Sequence, residues 1–169
     1  MDKFFINGPC KIKGTVKLSG SKNASLPILA ATVLFDQQVE IKNLPNVKDI
    51  ETMLHLIKSL GFEVKKNKTN NSVKIKKKKI KTFASYSLVK TMRAGILVLG
   101  PLISKYRKAI TSLPGGCLIG ARPVNFHLNV LRKLGMKHEI RKGYIYAEAK
   151  KGLRGSICLL YTSPSPRDW

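Results

Sequence analysis

The segment Val39-Glu-Ile-Lys-Asn-Leu-Pro45 decides the fold, because its pattern returns later in the chain as Ala109-Ile-Thr-Ser-Leu-Pro114. The first copy leads into a helical pattern that ends at Leu60-Gly61, and then into a hairpin. The second copy leads into a helical pattern that ends at Leu134-Gly135, and then into another hairpin. A duplicated unit of strand, helix and hairpin predicts an α/β protein built from repeats.

The second copy is longer than the first between its strand and its helix. Leu60 follows Leu44 by 16 positions, whereas Leu134 follows Leu113 by 21. The additional residues fall in the glycine-rich loop from Gly115 to Pro123. Because loops that exceed what a scaffold needs often carry function, we expect this loop to carry the chemistry.

The loop reads Leu113-Pro-Gly-Gly-Cys-Leu-Ile-Gly-Ala-Arg-Pro123 and combines glycines, a thiol and a guanidinium. Its glycines and prolines exclude a continuous helix or central strand and leave backbone N–H groups that can cradle an anion. A thiol close to a cation has a lowered pKa, so Cys117 and Arg122 in one pocket would suit nucleophilic or proton-transfer chemistry. The alternative is that Cys117 is a small buried apolar residue beside the loop.

Two further places could bind an anion. Lys22 and Asn23 precede the apolar run from Ile28 to Phe35, which places them at the N-terminus of a predicted helix. There the helix dipole and the unpaired N–H groups add to the ammonium. Arg93 lies among apolar neighbours and could clamp a phosphate or carboxylate with two hydrogen bonds. The alternatives are an ordinary capped helix with a solvated lysine and an exposed helix arginine.

The composition bounds the class of protein. A chain of 169 residues, 43% of them hydrophobic, can form one ordinary domain with a core. The cysteines at positions 10, 117 and 158 have neither paired nor metal-like spacing, so we expect neither a disulfide framework nor a zinc site. We also expect no other metal and no cofactor. The N-terminus lacks a signal-peptide pattern, and no apolar run reaches membrane-spanning length, so we expect a cytoplasmic protein that does not bind a membrane.

The net charge of +23 by itself favours a polyanion as partner. Lysines are most concentrated from Lys74 to Lys81, where no aromatic residue lies among them, and this argues against base stacking. A genome whose base composition favours Lys, Asn and Ile would produce the same excess. A basic, non-enzymatic, nucleic-acid-binding α/β module is therefore the rival interpretation, and nucleic acid is not the partner we expect.

Local patterns outside the repeat give three more expectations. The alternation of apolar and polar residues from Phe4 to Leu18 predicts two short strands. The stretch from Ser87 to about Lys105 predicts a helix that kinks or breaks near Gly95, Gly100 and Pro101. After Gly155 the chain, with its run Ser-Pro-Ser-Pro, fits neither helix nor strand and predicts a tail outside the fold.

Three separated motifs together resemble the enolpyruvyl transferases: Lys22-Asn23, Thr91-Met-Arg93 and the stretch from Pro114 to Val124. The resemblance implies an inside-out α/β barrel of two domains, each built from repeated βαβαββ units, and here truncated because family members are over twice as long. It implies that residues 1–18 are strands of the other domain, that 19–155 form an incomplete first domain, and that 156–169 are a tail foreign to the family.

The resemblance also implies the substrates, phosphoenolpyruvate and UDP-N-acetylglucosamine. Lys22, Asn23 and Arg93 would lie in the cleft between the domains, and Arg122 would hold the phosphate of phosphoenolpyruvate. Cys117 would protonate the methylene carbon of the enol and form a covalent adduct with phosphoenolpyruvate. The uridine nucleotide would be lined by the four residues that follow Arg122, namely Pro123, Val124, Asn125 and Phe126.

The implied reaction moves the enolpyruvyl group from phosphoenolpyruvate to the 3-hydroxyl of UDP-N-acetylglucosamine and releases phosphate, which is the first committed step of peptidoglycan synthesis. The Gly-Gly-Cys117 loop distinguishes this branch from the related enzymes that act on shikimate 3-phosphate. Asn125 stands where the family usually has aspartate, which removes one negative charge near the nucleotide. The half of the family's cleft that carries the acidic general base is absent from this sequence, so we expect negligible turnover by this fragment alone.

Overall fold

The computed structural model describes residues 3–67, 69–89, 92–113 and 124–157, with only the backbone described at Leu88 and Arg93. The helices among these residues are α1 (Lys22–Ala31), a 3₁₀ helix (Thr32–Leu34), α2 (Lys48–Ser59), α3 (Tyr86–Val89), a second 3₁₀ helix (Arg93–Val98), α4 (Leu99–Tyr106) and α5 (Asn125–Lys133). The strands are β1 (Val39–Ile41), β2 (Phe62–Asn67), β3 (Ser72–Lys77), β4 (Phe83–Ala84), β5 (Lys108–Ser112), β6 (Lys137–Arg141) and β7 (Tyr144–Glu148).

The duplicated unit forms two sheets of the same topology. In the first copy β3 pairs antiparallel with both β1 and β2, giving the order β1-β3-β2. In the second copy β7 pairs antiparallel with both β5 and β6, and β4 adds a parallel strand outside β5. Helices α2 and α5 each join the first strand of a copy to its hairpin. The predicted repeat of strand, helix and hairpin is confirmed.

One cluster of buried apolar side chains joins the two copies. On β3, Val73 and Ile75 are buried in it, while Lys74 and Lys76 on the opposite face are exposed, as expected for a sheet covered on one side. Helix α2 covers this sheet with a buried stripe at helical spacing, made of Ile50, Met53, Leu54, Leu56 and Ile57.

A charge cluster around Asp36 links elements of the first copy to α4. The Asp36 carboxylate lies 2.6 Å from Lys77 Nζ on β3 and 2.8 Å from Lys105 Nζ on α4. Lys105 Nζ also donates a hydrogen bond of 2.7 Å to the carbonyl oxygen of Leu34. The two ammonium groups lower the pKa of Asp36 from its ordinary 3.8 to about 2, chiefly through the hydrogen bond from Lys105.

The break predicted within residues 87–105 is confirmed. The segment forms α3, then the Arg93–Val98 3₁₀ helix, then α4. At Gly95 a side chain would crowd Val89 of α3, so the absence of a Cβ lets the two segments pack together. Pro101 lies in the first turn of α4, where its missing N–H removes no helical hydrogen bond.

The prediction of two strands between Phe4 and Leu18 is wrong for this chain. Residues 3–18 form no strand with any described residue, and Phe4, Phe5 and Ile12 are about nine-tenths exposed. The alternating pattern is real, but a strand needs a partner to satisfy its backbone groups, and the described part of the chain offers none. The assignment of this segment to another domain stays a prediction.

The predicted tail lies mostly outside the described residues, since the description ends at residue 157. Within the described ranges, no helix combines the length and apolar character needed to cross a membrane.

Candidate substrate-binding site

The N-terminus of α1 presents the first predicted anion-binding residues. Ser21 caps the helix, since its Oγ accepts a hydrogen bond of 3.4 Å from Ala24 N and its carbonyl oxygen accepts one of 2.7 Å from Ser25 Oγ. The helix therefore starts at Lys22, which places Lys22 and Asn23 at its N-terminus as predicted, and both are exposed in its first turn.

Gly20 sets the position of this helix start. A Cβ at residue 20 would overlap the carbonyl oxygen of Asn43, in the loop that follows β1. The chain before α1 can therefore approach the loop between β1 and α2 closely only because residue 20 has no side chain. This contact brings the N-terminus of α1 towards the segment that leads into α2.

The ammonium of Lys22 is held by Asp49 at the start of α2. Lys22 Nζ lies 2.9 Å from Asp49 Oδ2, and both side chains are about half exposed. The first turn of α1 contains no acidic residue, so the ammonium there meets the positive end of the helix dipole without a local counter-charge. Asp49, in the first turn of α2, supplies that counter-charge from the neighbouring helix.

Two helix N-termini and one ammonium thus converge, which is an arrangement suited to a phosphate or carboxylate. Sequence reasoning missed Asp49. The signal that could have found it is the acidic first turn of α2, just after Leu44-Pro45, read together with the basic first turn of α1.

A second feature is an apolar cavity of about 310 Å³ between α5 and the segment that begins at Arg93. Phe126 is 46% exposed and lines this cavity from α5. The other lining residues come from both sides: Ile96, Leu97, Leu99, Gly100, His127, Val130 and Leu131. The structure therefore brings the predicted nucleotide-lining Phe126 next to the helical segment that carries Arg93.

The neighbours of Phe126 occupy different environments. Val124 is half-buried against the core, and Asn125 is exposed as the first residue of α5. The first turn of α5 has no acidic residue, so an aspartate at position 125 would interact more favourably with the helix dipole than asparagine does.

The remaining predicted site residues lie outside the described residues. These are Cys117, Arg122, Pro123 and the side chain of Arg93. Cys117, Arg122 and Pro123 lie in a loop whose two flanking residues, Leu113 and Val124, are described and belong to the second copy. Leu113 N donates a hydrogen bond of 2.8 Å to Gly143 O, and Val124 O accepts one of 3.1 Å from Leu128 N.

The structure places α1 against the Arg93–Val98 3₁₀ helix and against α2. The backbone elements that carry Lys22, Asn23 and Arg93 are therefore neighbours, although the direction of the guanidinium is not described. In the described part of the chain, no group of three or more His, Cys, Asp or Glu side chains could hold a metal ion.

Comparisons with known proteins give a family match over most of the chain. The family model described as EPSP synthase (3-phosphoshikimate 1-carboxyvinyltransferase) matches residues 6–163.

Three similar curated proteins share one name. The chain is 58% identical over 156 residues to a UDP-N-acetylglucosamine 1-carboxyvinyltransferase of Pelagibacter ubique, covering 92% of this chain and 37% of the relative. It is 49% identical to proteins of the same name from Hamiltonella defensa, with 92% and 37% covered, and from Helicobacter pylori, with 94% and 38% covered. The chain thus spans little more than a third of the length of these relatives.

Solved structures show the same fold at low sequence identity. The enolpyruvyl transferase NikO from Streptomyces tendae aligns with a TM-score of 0.71 and 18% identity, over 84% of this chain and 31% of that one. An EPSP synthase from Acinetobacter baumannii aligns with a TM-score of 0.58 and 17% identity, over 84% and 33%. These alignments concern the fold alone, and they cover part of each larger protein.

Proposed function

Because the chain belongs to the EPSP synthase family of enolpyruvyl transferases, we propose that the complete protein transfers the enolpyruvyl group from phosphoenolpyruvate to the 3-hydroxyl of UDP-N-acetylglucosamine. Phosphate is the second product, and the reaction would serve peptidoglycan synthesis in the cytoplasm. The predicted fold class, a truncated barrel of the enolpyruvyl transferase type, is confirmed by the structural likenesses.

One observation carries the choice of the sugar nucleotide as acceptor. The relative from Pelagibacter ubique, named for that acceptor, is 58% identical over 156 residues and 92% of this chain. In a chain of 169 residues, a span of that length includes the whole loop from Leu113 to Pro123. The Gly-Gly-Cys117 motif in that loop is also what separates this branch from the enzymes that act on shikimate 3-phosphate.

The chemistry needs a proton donor at carbon and cations around a phosphate. In the first step the family's acidic general base, which this sequence lacks, takes the proton of the sugar hydroxyl as the hydroxyl oxygen adds to C2 of phosphoenolpyruvate. The Cys117 thiol delivers a proton to C3, which gives a phosphate-bearing ketal and a Cys117 thiolate. In the second step a proton leaves C3 and the C–O bond to phosphate breaks, which restores the carbon–carbon double bond in the product. Negative charge on the phosphate grows as it leaves, so fixed cations favour this step.

Lys22, Arg93 and Arg122 supply those cations in this proposal. The position of Lys22 supports its role, since its ammonium lies at the N-terminus of α1 and close to that of α2. Asn23, next to it in the same turn, would contact both substrates through its amide.

The nucleotide would bind along the residues that enter α5. The exposure of Asn125 and Phe126 and the cavity beside Phe126 support this role. The roles of Pro123 and Val124 there follow the same family pattern. Because Asn125 can donate and accept hydrogen bonds but carries no charge, it would hold the nucleotide through neutral hydrogen bonds.

The chain by itself should not catalyse the enolpyruvyl transfer. It spans 37% of the relative from Pelagibacter ubique, so most of the protein that closes around the substrates lies beyond this sequence. Lid and domain closure exclude water and complete the site in enzymes of this kind, and a partial cleft does neither.

The test uses the protein completed with the missing portion of the gene. Phosphate release should require both phosphoenolpyruvate and UDP-N-acetylglucosamine, and Cys117→Ser should abolish it while Cys10→Ser should not. An epoxide phosphonate that alkylates the family's cysteine should label Cys117 and neither Cys10 nor Cys158, as read by mass spectrometry. Phosphate release with shikimate 3-phosphate instead of the sugar nucleotide, or label on Cys10 alone, would overturn the proposal.

A further inference from the structure

The outer face of the four-stranded sheet carries exposed aromatic side chains. Register places Phe83, Ile110 and Tyr146 side by side on β4, β5 and β7. Phe83 is 47% exposed and Tyr146 is 42% exposed. Their sequence neighbours on the opposite face, Ala84 and Ala147, are buried, so the alternation assigns the rings to the solvent side. We call the surface formed by Phe83, Ile110, Tyr144 and Tyr146 the aromatic face.

The aromatic face has a fixed arrangement. The rings of Phe83 and Tyr144 stack with centroids 5.6 Å apart and planes at 24°. Tyr144 OH accepts a hydrogen bond of 3.3 Å from Tyr86 N, which holds the second ring in place. Phe83 and Tyr146 lie two strands apart, about 10 Å, so each can take a separate planar group.

Lysines border this face. Lys108 on β5 and Lys137 on β6 both pair in register with Glu148 on β7, two residues along from Tyr146, and both lysines are exposed. Together with Tyr146 they line a depression of about 300 Å³. Neither lysine forms an ion pair with any described residue.

The carboxylates of the depression have cationic partners elsewhere. Glu139 forms a two-pronged ion pair with Arg141 on its own strand, and Glu148 lies 3.8 Å from Lys150 Nζ. The two lysines therefore remain available to an anion from solvent, with further positive charge at Lys142 in the adjoining hairpin turn.

We propose that the aromatic face binds single-stranded nucleic acid, with unpaired bases stacking on Phe83 and Tyr146 and phosphates contacting Lys108 and Lys137. Exposed aromatic rings on a four-stranded sheet are one of the ways proteins read single-stranded RNA, because every base has a stackable face. This binding is independent of the proposed transferase reaction, whose residues lie on α1, the Arg93 segment, the loop before α5 and the first turn of α5.

The other sheet offers an internal comparison. Among the described residues, its outer face carries Lys65, Lys74 and Lys76 but no aromatic side chain, as the register of β2 and β3 shows. A partner attracted by charge alone, such as an anionic membrane, would favour that lysine-rich face. A partner with planar bases and a phosphate backbone favours the aromatic face, and the net charge of +23 suits it.

The experiment measures binding of the 169-residue chain to a fluorescein-labelled single-stranded RNA of mixed sequence by fluorescence anisotropy at several salt concentrations. Phe83→Leu and Tyr146→Leu keep an apolar side chain and remove the ring, and each should weaken binding by about tenfold. Lys108→Gln with Lys137→Gln should lower the slope of log affinity against log salt by about 1.4. Duplex RNA of the same length should bind more weakly, since its bases are not free to stack.

The matched control is Lys74→Gln with Lys76→Gln, which removes the same charge from the lysine-rich face. It should leave the affinity for RNA within about twofold of the parent, because RNA bound on the aromatic face does not place its phosphates against Lys74 or Lys76. Circular dichroism of every variant checks that the sheet is retained. Equal losses from both lysine pairs with none from the ring variants would overturn the proposal, as would the absence of binding at low salt.

Discussion

Lys22 and Asp49 form an ion pair of 2.9 Å that joins the first turn of α1 to the first turn of α2. The ammonium lies at a helix end that repels it, and the carboxylate lies at a helix end that favours it. The pair therefore fixes the direction of Lys22 towards the place where the two helices begin. An incoming phosphate would share or take over the ammonium from Asp49.

We expect Asp49→Asn to lower kcat of the completed enzyme by tenfold to about a hundredfold. Without the Asp49 charge, Lys22 would move, and even a small displacement of a group that positions the substrate lowers the rate. KM for phosphoenolpyruvate should not rise, since the competing carboxylate is gone. The free energy of unfolding should fall by less than about 1 kcal/mol, as for other exposed pairs. Glu51→Gln is the matched control, because Glu51 lies in the same first turn and pairs with Lys66 at 2.9 Å. An unchanged kcat in Asp49→Asn would refute the positioning role.

Gly20→Ala should destabilise the chain, because the new methyl group would overlap the backbone oxygen of Asn43 and neither backbone can move freely. We expect a loss of about 1–3 kcal/mol, the range for overpacked sites. Gly100→Ala is the matched control, since a Cβ there meets nothing within 4 Å and the residue lies in α4. That variant should gain about 0.5–1 kcal/mol from helix propensity. Urea unfolding compares the two, and equal effects would contradict the crowding at Gly20.

The Asp36 cluster should make the free energy of unfolding depend on pH in the acidic range. The pKa of Asp36 is lowered in the folded chain to about 2, so the unfolded chain, with the ordinary value of 3.8, binds the proton more readily. The stabilising contribution is then complete above pH 4 and is lost as the pH falls towards 2. We expect Asp36→Asn to melt at a lower temperature than the parent at pH 6, and the difference to shrink between pH 4 and pH 2. A difference that stays constant over that interval would show that the ion pairs contribute nothing.

Phe126→Ala should raise KM for the sugar nucleotide in the completed enzyme while leaving KM for phosphoenolpyruvate nearly unchanged. The reason is that Phe126 lines the cavity beside α5, and among the described residues none of α1 lines that cavity. We expect KM for the sugar nucleotide to rise about tenfold, which corresponds to the loss of one apolar contact of moderate size. Phe35→Ala serves as control, because Phe35 is similarly exposed, at 53%, and lies in a loop outside the site. Equal effects of the two variants on KM would rule out the specific role.

Much of the fold could be predicted because its signals are local. The two hairpins, the stripe of α2 and the break within residues 87–105 each follow from periodicity or from residues that interrupt helices. The duplication strengthened these predictions, because one pattern was seen twice. Pairing between distant segments was predicted less well: the alternation in residues 4–18 is that of a strand, but it does not specify a partner.

The site was predicted in part for the same reason. Lys22 at a helix N-terminus follows from the neighbouring Ser21, whereas Asp49 lies 27 positions away and is joined to it only by the packing of α1 on α2. Sequence analysis missed the aromatic face because its rings come from β4 and β7. These strands are distant in sequence and lie on either side of β5 in the sheet. A search of the lysine-rich segment alone could not find it. Cys117 and Arg122 lie outside the described residues, so their convergence stays a prediction.

The turn between β6 and β7 bears on how the chain folds. Its two residues, Lys142 and Gly143, both have positive φ, 47° and 77°, which is the turn geometry that matches the twist of paired strands. A hairpin closed by so short a turn forms within microseconds, whereas the pairing of β5 with β7 must wait for a loop of more than thirty residues to close. We therefore expect the last hairpin to nucleate the second copy, and β5 to join an edge that already exists.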